Sequence, residues 1–390
     1  MAALPEELVE EIFLRIPAEE PAYLIRAAVV CKAWYRILSD AGFRRRYRRF
    51  HPTSPTLLGY ICNGTYYGEA APLFVPTTSF FSPPPLPSSG RYWVHNCRHG
   101  RVLIQDSGGD SPGFIVWDLI TGGNRQQCLG FPTNYTKKKW STFTVAVLCA
   151  RHRYGCDHLD CHGGPFLVVF VETTEARHDA AGTADEYHPV NNYTSASVYS
   201  SETGAWSAQT GCYHARSWPE SSLLIGDALY FTLAGGPILK YDLLGGYGLS
   251  VIDVPQAVSH GDRHDVALTI EIDGGLGIVQ FQFERNCIYT WSRQVDADGR
   301  VGSGWVPHSV LELETLIATR HFSEYQEDTI CFVEGTNSTV LLCLDNHGVF
   351  TLDIKSRQLR KVAERWDDDD IIIPCTSFDP LIGITTCAFL

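Results

Sequence analysis

The chain is 390 residues long, 44% hydrophobic and 12% aromatic, with a formal net charge of −13; it has the means to bury a large core, and the composition argues against wholesale disorder. The charge is uneven, with nine Lys/Arg and seven Asp/Glu giving residues 1–50 a balance of +2 and leaving −15 on the remainder. An acidic body repels phosphate backbones and anionic lipid, so neither nucleic-acid nor membrane-surface binding is expected.

The first elements read as helices. Leu4, Leu8, Val9, Ile12, Phe13 and Ile16 recur at helical spacing and form one apolar stripe. Pro5 suits the first turn, Glu6 and Glu7 complement the positive end of the helix dipole, and Pro17 ends the run at Ile16. A second helix is expected from about Glu19, with Leu24, Ile25, Ala28 and Val29 on one face. A third carries Trp34, Ile37 and Leu38, and Ser39-Asp40 is placed to cap a fourth with Phe43, Tyr47 and Phe50 at spacings of four and three. The basic run RRRYRR inside that fourth helix is expected to dock its aromatics on the body and turn its arginines to water or acidic partners. Three helices of this length bury little by themselves, so a partner surface is expected.

The order of residues in this head, Leu-Pro near the start, Glu-Ile on the first helix, Arg-Ala-x-x-Val-Cys-Lys-x-Trp and then Ser-Asp-x-x-Phe, resembles the F-box over about residues 3–50. The matching positions are Leu4, Pro5, Leu8, Ile12, Ile16, Leu24, Val30, Cys31, Lys32 and Trp34. Val29 departs from the pattern, since many relatives carry a small residue such as Ser there. The resemblance implies docking to a Skp-type adaptor and, through it, to a cullin and a RING subunit of a ubiquitin ligase. The ten residues are then the candidates for adaptor contact, some of them serving instead to join the helices.

After His51 the pattern changes. Residues 52–56 read as a hinge between an F-box domain at 1–51 and a second domain at 57–390, and FFSPPPLPSSG (Phe80–Gly90) excludes helix or central strand. Short β-branched and aromatic runs such as RVLIQD, FIVWDL, PFLVVFV, ALYFTL, LGIVQF and VLLCL follow, with turn residues every eight to twelve positions, so the body reads as all-β. A weak repeat runs through FIVWDLITGG, ASVYSSETGAW, ILKYDLLGGYG, CIYTWSRQVDADG and GVFTLDIKSRQ. Its centres near Trp117, Tyr199, Tyr241, Trp291 and Leu352 stand 82, 42, 50 and 61 residues apart. Propeller blades repeat at about 40–50 residues, and the insertions HLDCHGG, ETTEARHDAAGTADEYHPVNN and VDADGRVGSG absorb the excess. With a first unit near 57–97, the expectation is a six-bladed β-propeller, closed by IIIPCTSFDPLIG returning to the first strand. A β-sandwich or an incomplete propeller is the alternative. The body also resembles the F-box-associated, kelch-like propeller regions of the large plant F-box families, grass members in particular.

Thirteen cysteines, an odd number without regular spacing, point to reduced thiols and to a cytoplasmic or nuclear, soluble protein. The start of the chain, with four glutamates and no basic stretch, does not resemble a targeting peptide, and no apolar run approaches the ~18–20 residues of a membrane span. The densest constellation is CARHRYGCDHLDCHGG, with Cys149, His152, Cys156, His158, Cys161 and His162. Its spacing matches no common finger, so the reading is a polar inter-strand loop; no metal site and no cofactor is expected. WDDDD reads as a solvated acidic turn, and the glycine-rich pieces lack the Lys-Ser/Thr of a phosphate loop.

No nucleophile or metalloprotease motif is present, which agrees with a non-enzyme; what the F-box resemblance implies is a non-catalytic subunit whose propeller captures a protein target. The loops near Pro83–Gly90, His178–Asn192 and Asp296–Ser303 are candidates for that capture, and the target is unassigned. Two alternatives stand beside this reading. One is a ligand-binding or metal-dependent propeller enzyme with a helical cap; the other is an F-box protein acting outside degradation.

Overall fold

Four short helices open the chain: α1 (Glu6–Leu14), α2 (Ala22–Ala28), α3 (Lys32–Ser39) and α4 (Ala41–Phe50). The computed structural model describes residues 4–17, 22–51, 55–63, 71–79, 81–85, 91–108, 112–122, 127–133, 135, 141–159, 161–175, 192–214, 219–233, 237–244, 248–258, 266–271, 274–282, 285–295, 301–317, 329–336, 338–344, 347–364, 371–379 and 381–382. The Asp40 carboxylate caps α4 by accepting the Phe43 N–H at 2.7 Å, as its place before the helix predicts. Val9, Phe13, Leu24, Ala28, Ile37, Leu38, Phe43 and Tyr47 make the head's core, and Leu381 from the far end of the chain completes it. Phe13 meets Trp34 edge-on at 5.4 Å, and the Tyr47 hydroxyl donates to the Ile16 carbonyl at 2.9 Å, so the cluster is satisfied as well as packed. A head too small to bury its own apolar surface borrows a side chain from the C-terminal segment.

The strands follow in chain order. The first sheet holds β1 (Thr56–Cys62) and β2 (Leu73–Pro76), and the second holds β3 (Tyr92–Arg98), β4 (Arg101–Asp106), β5 (Gly113–Asp118) and β6 (Gln127–Gly130). The third holds β7 (Ser141–Cys149), β8 (Phe166–Glu175), β9 (Asn192–Ser200), β10 (Ala205–Trp206) and β11 (Thr210–His214). The fourth is β12 (Pro219–Ile225), β13 (Ala228–Leu233), β14 (Ile238–Asp242) and β15 (Leu249–Ile252). The fifth is β16 (Val266–Ile270), β17 (Leu276–Gln282), β18 (Cys287–Val295) and β19 (Val301–Glu312), and the sixth is β20 (Thr329–Phe332), β21 (Thr339–Leu344), β22 (Gly348–Asp353) and β23 (Gln358–Ala363). The last strand, β24 (Ile372–Ser377), returns to pair antiparallel with β1, from Thr56↔Ser377 to Cys62↔Ile372. Six consecutive antiparallel sheets closed in this way are the six-bladed β-propeller behind a helical head that the sequence predicts.

The repeat centres keep one register: Trp117, Tyr199, Tyr241, Trp291 and Leu352 fall on β5, β9, β14, β18 and β22, each the third strand of its sheet. The 82-residue gap therefore hides no missing blade. HLDCHGG lies between β7 and β8, and the longer insertion joins the end of β8 to the start of β9. The first repeat unit is corrected: β3 belongs to the second sheet, and β24 supplies the first sheet's third strand. Asn63 then ties the first two sheets together. Its side chain accepts from the Val94 N–H at 2.8 Å and donates to the Val94 carbonyl at 2.7 Å, beside a bulge that shifts the β3–β4 register.

Contacts divide the chain into two compact units, Met1–Gly130 with Val147–Phe166 and Ile371–Leu390, and Phe131–Ala146 with Leu167–Asp370. The first has a core of Leu58, Ile61, Val94, Val102, Ile115, Trp117 and Cys375 among others, besides the head's own cluster. In the second, Val279, Phe281, Ile288, Leu311, Val340, Leu342 and Leu352 belong to one cluster, built from alternate residues of adjoining strands. Most of the hinge expected at 52–56 lies outside the described residues.

Candidate adaptor-docking surface

The apolar stripe of α1 is wider than the head can cover. Val9 and Phe13 turn inward, while Leu4, Leu8 and Ile12, spaced by four, remain in solvent. The segment after α2 adds Val29 and Val30, and Tyr23 stands at the start of that helix. All six are between 52% and 69% exposed, unusual for large apolar side chains clustered on so small an element.

The ten residues singled out from sequence separate into two groups. Leu4, Pro5, Leu8, Ile12, Val30, Cys31 and Lys32 are exposed. Leu24 is fully buried, and Ile16 and Trp34 are half-buried against the head's core, where they hold the helices together. Two exposed apolar residues, Tyr23 and Val29, lie outside that set. Val29 was expected on one face of the second helix with Leu24, Ile25 and Ala28; the described helix ends at Ala28 and leaves it in a turn. A bulkier residue there meets no packing constraint, which accounts for the tolerated departure from Ser.

In the basic fourth helix the arginines meet acidic partners as expected, but the aromatics do not dock on the body. Its aromatics Phe43 and Tyr47 serve the head's own core, Phe50 is exposed, and the arginines make the attachment. Arg44 Nη1 pairs with Asp379 Oδ2 at 2.9 Å, and Arg45 Nε with Asp157 Oδ2 at 2.8 Å. Arg48 donates to the Asp157 carbonyl and lies over the Phe378 ring at 5.0 Å. Partial burial raises the Asp157 carboxyl, but hydrogen bonds from Arg45 and the Leu159 amide outweigh it and hold the group below its ordinary value. Asp118 behaves alike: burial is overcome by hydrogen bonds from His162, at 2.9 Å, and Thr121, which bring it from 3.8 to about 2.

Among the described residues, the group with the chemistry of a metal site is Cys149, Cys156, His158 and Cys161. Residues 178–191 and 296–300, expected within capture loops, lie outside the described residues, as do residues 86–90. No described helix is long and apolar enough to cross a membrane.

An F-box-like family profile matches residues 1–49, and the profile of the F-box protein AT5G49610-like β-propeller matches residues 173–380. No curated protein matches the chain. Among solved structures, a Lactobacillus plantarum protein is 15% identical over 82% of this chain and 98% of its own, with a TM-score of 0.39. A functionally unknown Desulfotomaculum acetoxidans protein is 13% identical over 84% and 81%, at 0.38. Citrobacter koseri apo AztD is 10% identical over 82% and 84%, at 0.35. Superpositions this loose carry no argument. The two profiles do, and the propeller profile alone spans more than half of the residues: the chain belongs to the F-box proteins of the AT5G49610-like β-propeller family.

Proposed function

We propose that this protein is the substrate receptor of an SCF-type ubiquitin ligase, its head docking a Skp-type adaptor and its propeller holding a protein target. The supporting observation is the exposed apolar set Leu4, Leu8, Ile12, Val29 and Val30 on a head whose family binds such adaptors. Burying those side chains against a partner's apolar groove removes area that water now covers. Cullin and RING subunits join through the adaptor, and the protein works in the cytoplasm or nucleus. It makes and breaks no bond itself. Its contribution is to raise the effective concentration of a target lysine near the conjugating enzyme.

Size-exclusion of the purified chain mixed with a Skp-type adaptor, beside a Leu8→Asp/Ile12→Asp variant, tests the docking step. Co-elution of the native chain alone is the expected result. Failure of both to co-elute, or equal co-elution of both, refutes it.

A further inference from the structure

The connection from β7 to β8 gathers four side chains whose sequence spacing marks no familiar metal motif. The sulfurs of Cys149, Cys156 and Cys161 and a ring nitrogen of His158 all lie within 4.8 Å of one another. Tetrahedral zinc, with Zn–S near ~2.3 Å, sets its sulfurs about 3.8 Å apart, so these atoms stand within roughly one ångström of a coordination shell. Cys149, the last residue of β7, and Cys161 are buried; Cys156 and His158 are half-buried. The cluster is thus shielded yet within reach of an ion from solvent.

Two features beyond proximity point to a cation. The first is the imidazole of His158. Its Nδ1 is 3.3 Å from Cys161 Sγ, and its Nε2 is 3.1 Å from His152 Nδ1. One nitrogen aimed at the sulfurs and the other fixed by a hydrogen-bond partner is how a ligating histidine is held. The residue takes φ +56°, uncommon outside glycine, and the His99 ring stacks on it at 3.7 Å with planes 9° apart. The second is Arg101, only 1% exposed and without an ion pair among the described residues. Its Nη2 donates to the Cys161 and Gly164 carbonyls, and its Nη1 has no partner among the described residues. A buried cation is costly unless a negative charge stands beside it. Three thiolates around a dication leave one net negative charge beside this guanidinium.

We propose that Cys149, Cys156, Cys161 and His158 Nδ1 bind one zinc ion in a closed structural site, which fixes the loop on which the F-box head is fastened. Soft thiolates with an imidazole select zinc over magnesium or calcium, and four protein ligands leave no open position for catalysis. Binding releases the thiol protons to solvent. Asp157 lies between the ligands Cys156 and His158, and it is the residue that takes Arg45 on its carboxylate and Arg48 on its carbonyl. The ion therefore immobilises the acceptor of two α4 contacts. The proposal stands independently of adaptor binding.

The test measures metal content of the full chain purified without added metal, then reloads it with cobalt(II) after chelation. About one zinc per chain is expected, together with the visible spectrum of tetrahedral cobalt thiolate, both lost in Cys156→Ser/His158→Asn. Amide exchange in α4 and residues 150–165 is expected to rise tenfold or more on chelation. A folded native chain with neither zinc nor the cobalt spectrum overturns the site, as does zinc retained by the variant or a Cys149–Cys161 disulfide found by mass. Should the variant not fold, the native chain's metal content and cobalt spectrum decide. Metal binding without change in α4 exchange overturns the fastening role.

Discussion

Replacing Arg44 by Met should loosen the head more than any other single arginine substitution in α4. Its guanidinium faces Asp379 with side chains 12% and 3% exposed, so the substitution takes a cation away from beside a buried carboxylate. Breaking a buried pair costs about 3–5 kcal/mol. Asp379 Oδ1 still accepts the Leu381 N–H at 2.9 Å, so the low end, ~3 kcal/mol, is expected. The loss also reaches the head's core, because Leu381 is the side chain that Asp379 positions there. Native-state hydrogen exchange reads this locally: α4 amides limited by opening of this junction should exchange about 100-fold faster. Arg45→Gln is the control, since its pair with Asp157 is 49% and 38% exposed and such pairs contribute at most ~1 kcal/mol. Arg44→Met/Asp379→Asn should recover most of the protection by removing that buried charge. Equal effects of Arg44→Met and Arg45→Gln, or no recovery in the double variant, would refute the reasoning.

Leu24→Ala, at a fully buried site among the head's helices, should destabilise the head by about 2–4 kcal/mol. Urea titration followed by Trp34 fluorescence would show it as a lower midpoint. Asp118, brought to about 2 against 3.8 unfolded, contributes stability that is full above 3.8 and lost as pH falls through 2. The shift corresponds to about 2 kcal/mol, so Asp118→Asn should flatten the acid limb of a stability-versus-pH curve below pH 4 and lower stability at neutral pH.

The helical head was legible because its caps, prolines and apolar spacing are local signals, and the propeller because one aromatic or aliphatic position recurs on the third strand of each later sheet. The first sheet was harder to read, since its third strand lies at the opposite end of the chain. Leu381 in the head's core is equally invisible to periodicity. On α1, spacing gave one broad stripe, and only packing separates Val9 and Phe13 inside from Leu8 and Ile12 outside. Periodicity also assigned the aromatics of α4 to the body, whereas Asp157 and Asp379, distant in sequence, recruit its arginines instead. Spacing alone argues against a metal at the cysteine–histidine cluster. Cys149 ends a strand, yet its sulfur still reaches the loop because a 3-10 turn at His152–Tyr154 and left-handed residues Gly155 and His158 fold the chain back toward it.

Titration calorimetry of a Skp-type adaptor into the full chain tests the central claim most directly. Half of each Leu8 and Ile12 side chain is still open to water, so its burial is worth about 1 kcal/mol per residue. A one-to-one complex is predicted, weakened about fivefold by Leu8→Ala or Ile12→Ala and about 30-fold by both, with the folded state intact. A native chain that gives no heat of binding, or a double variant that binds as tightly as the native chain, would contradict the account.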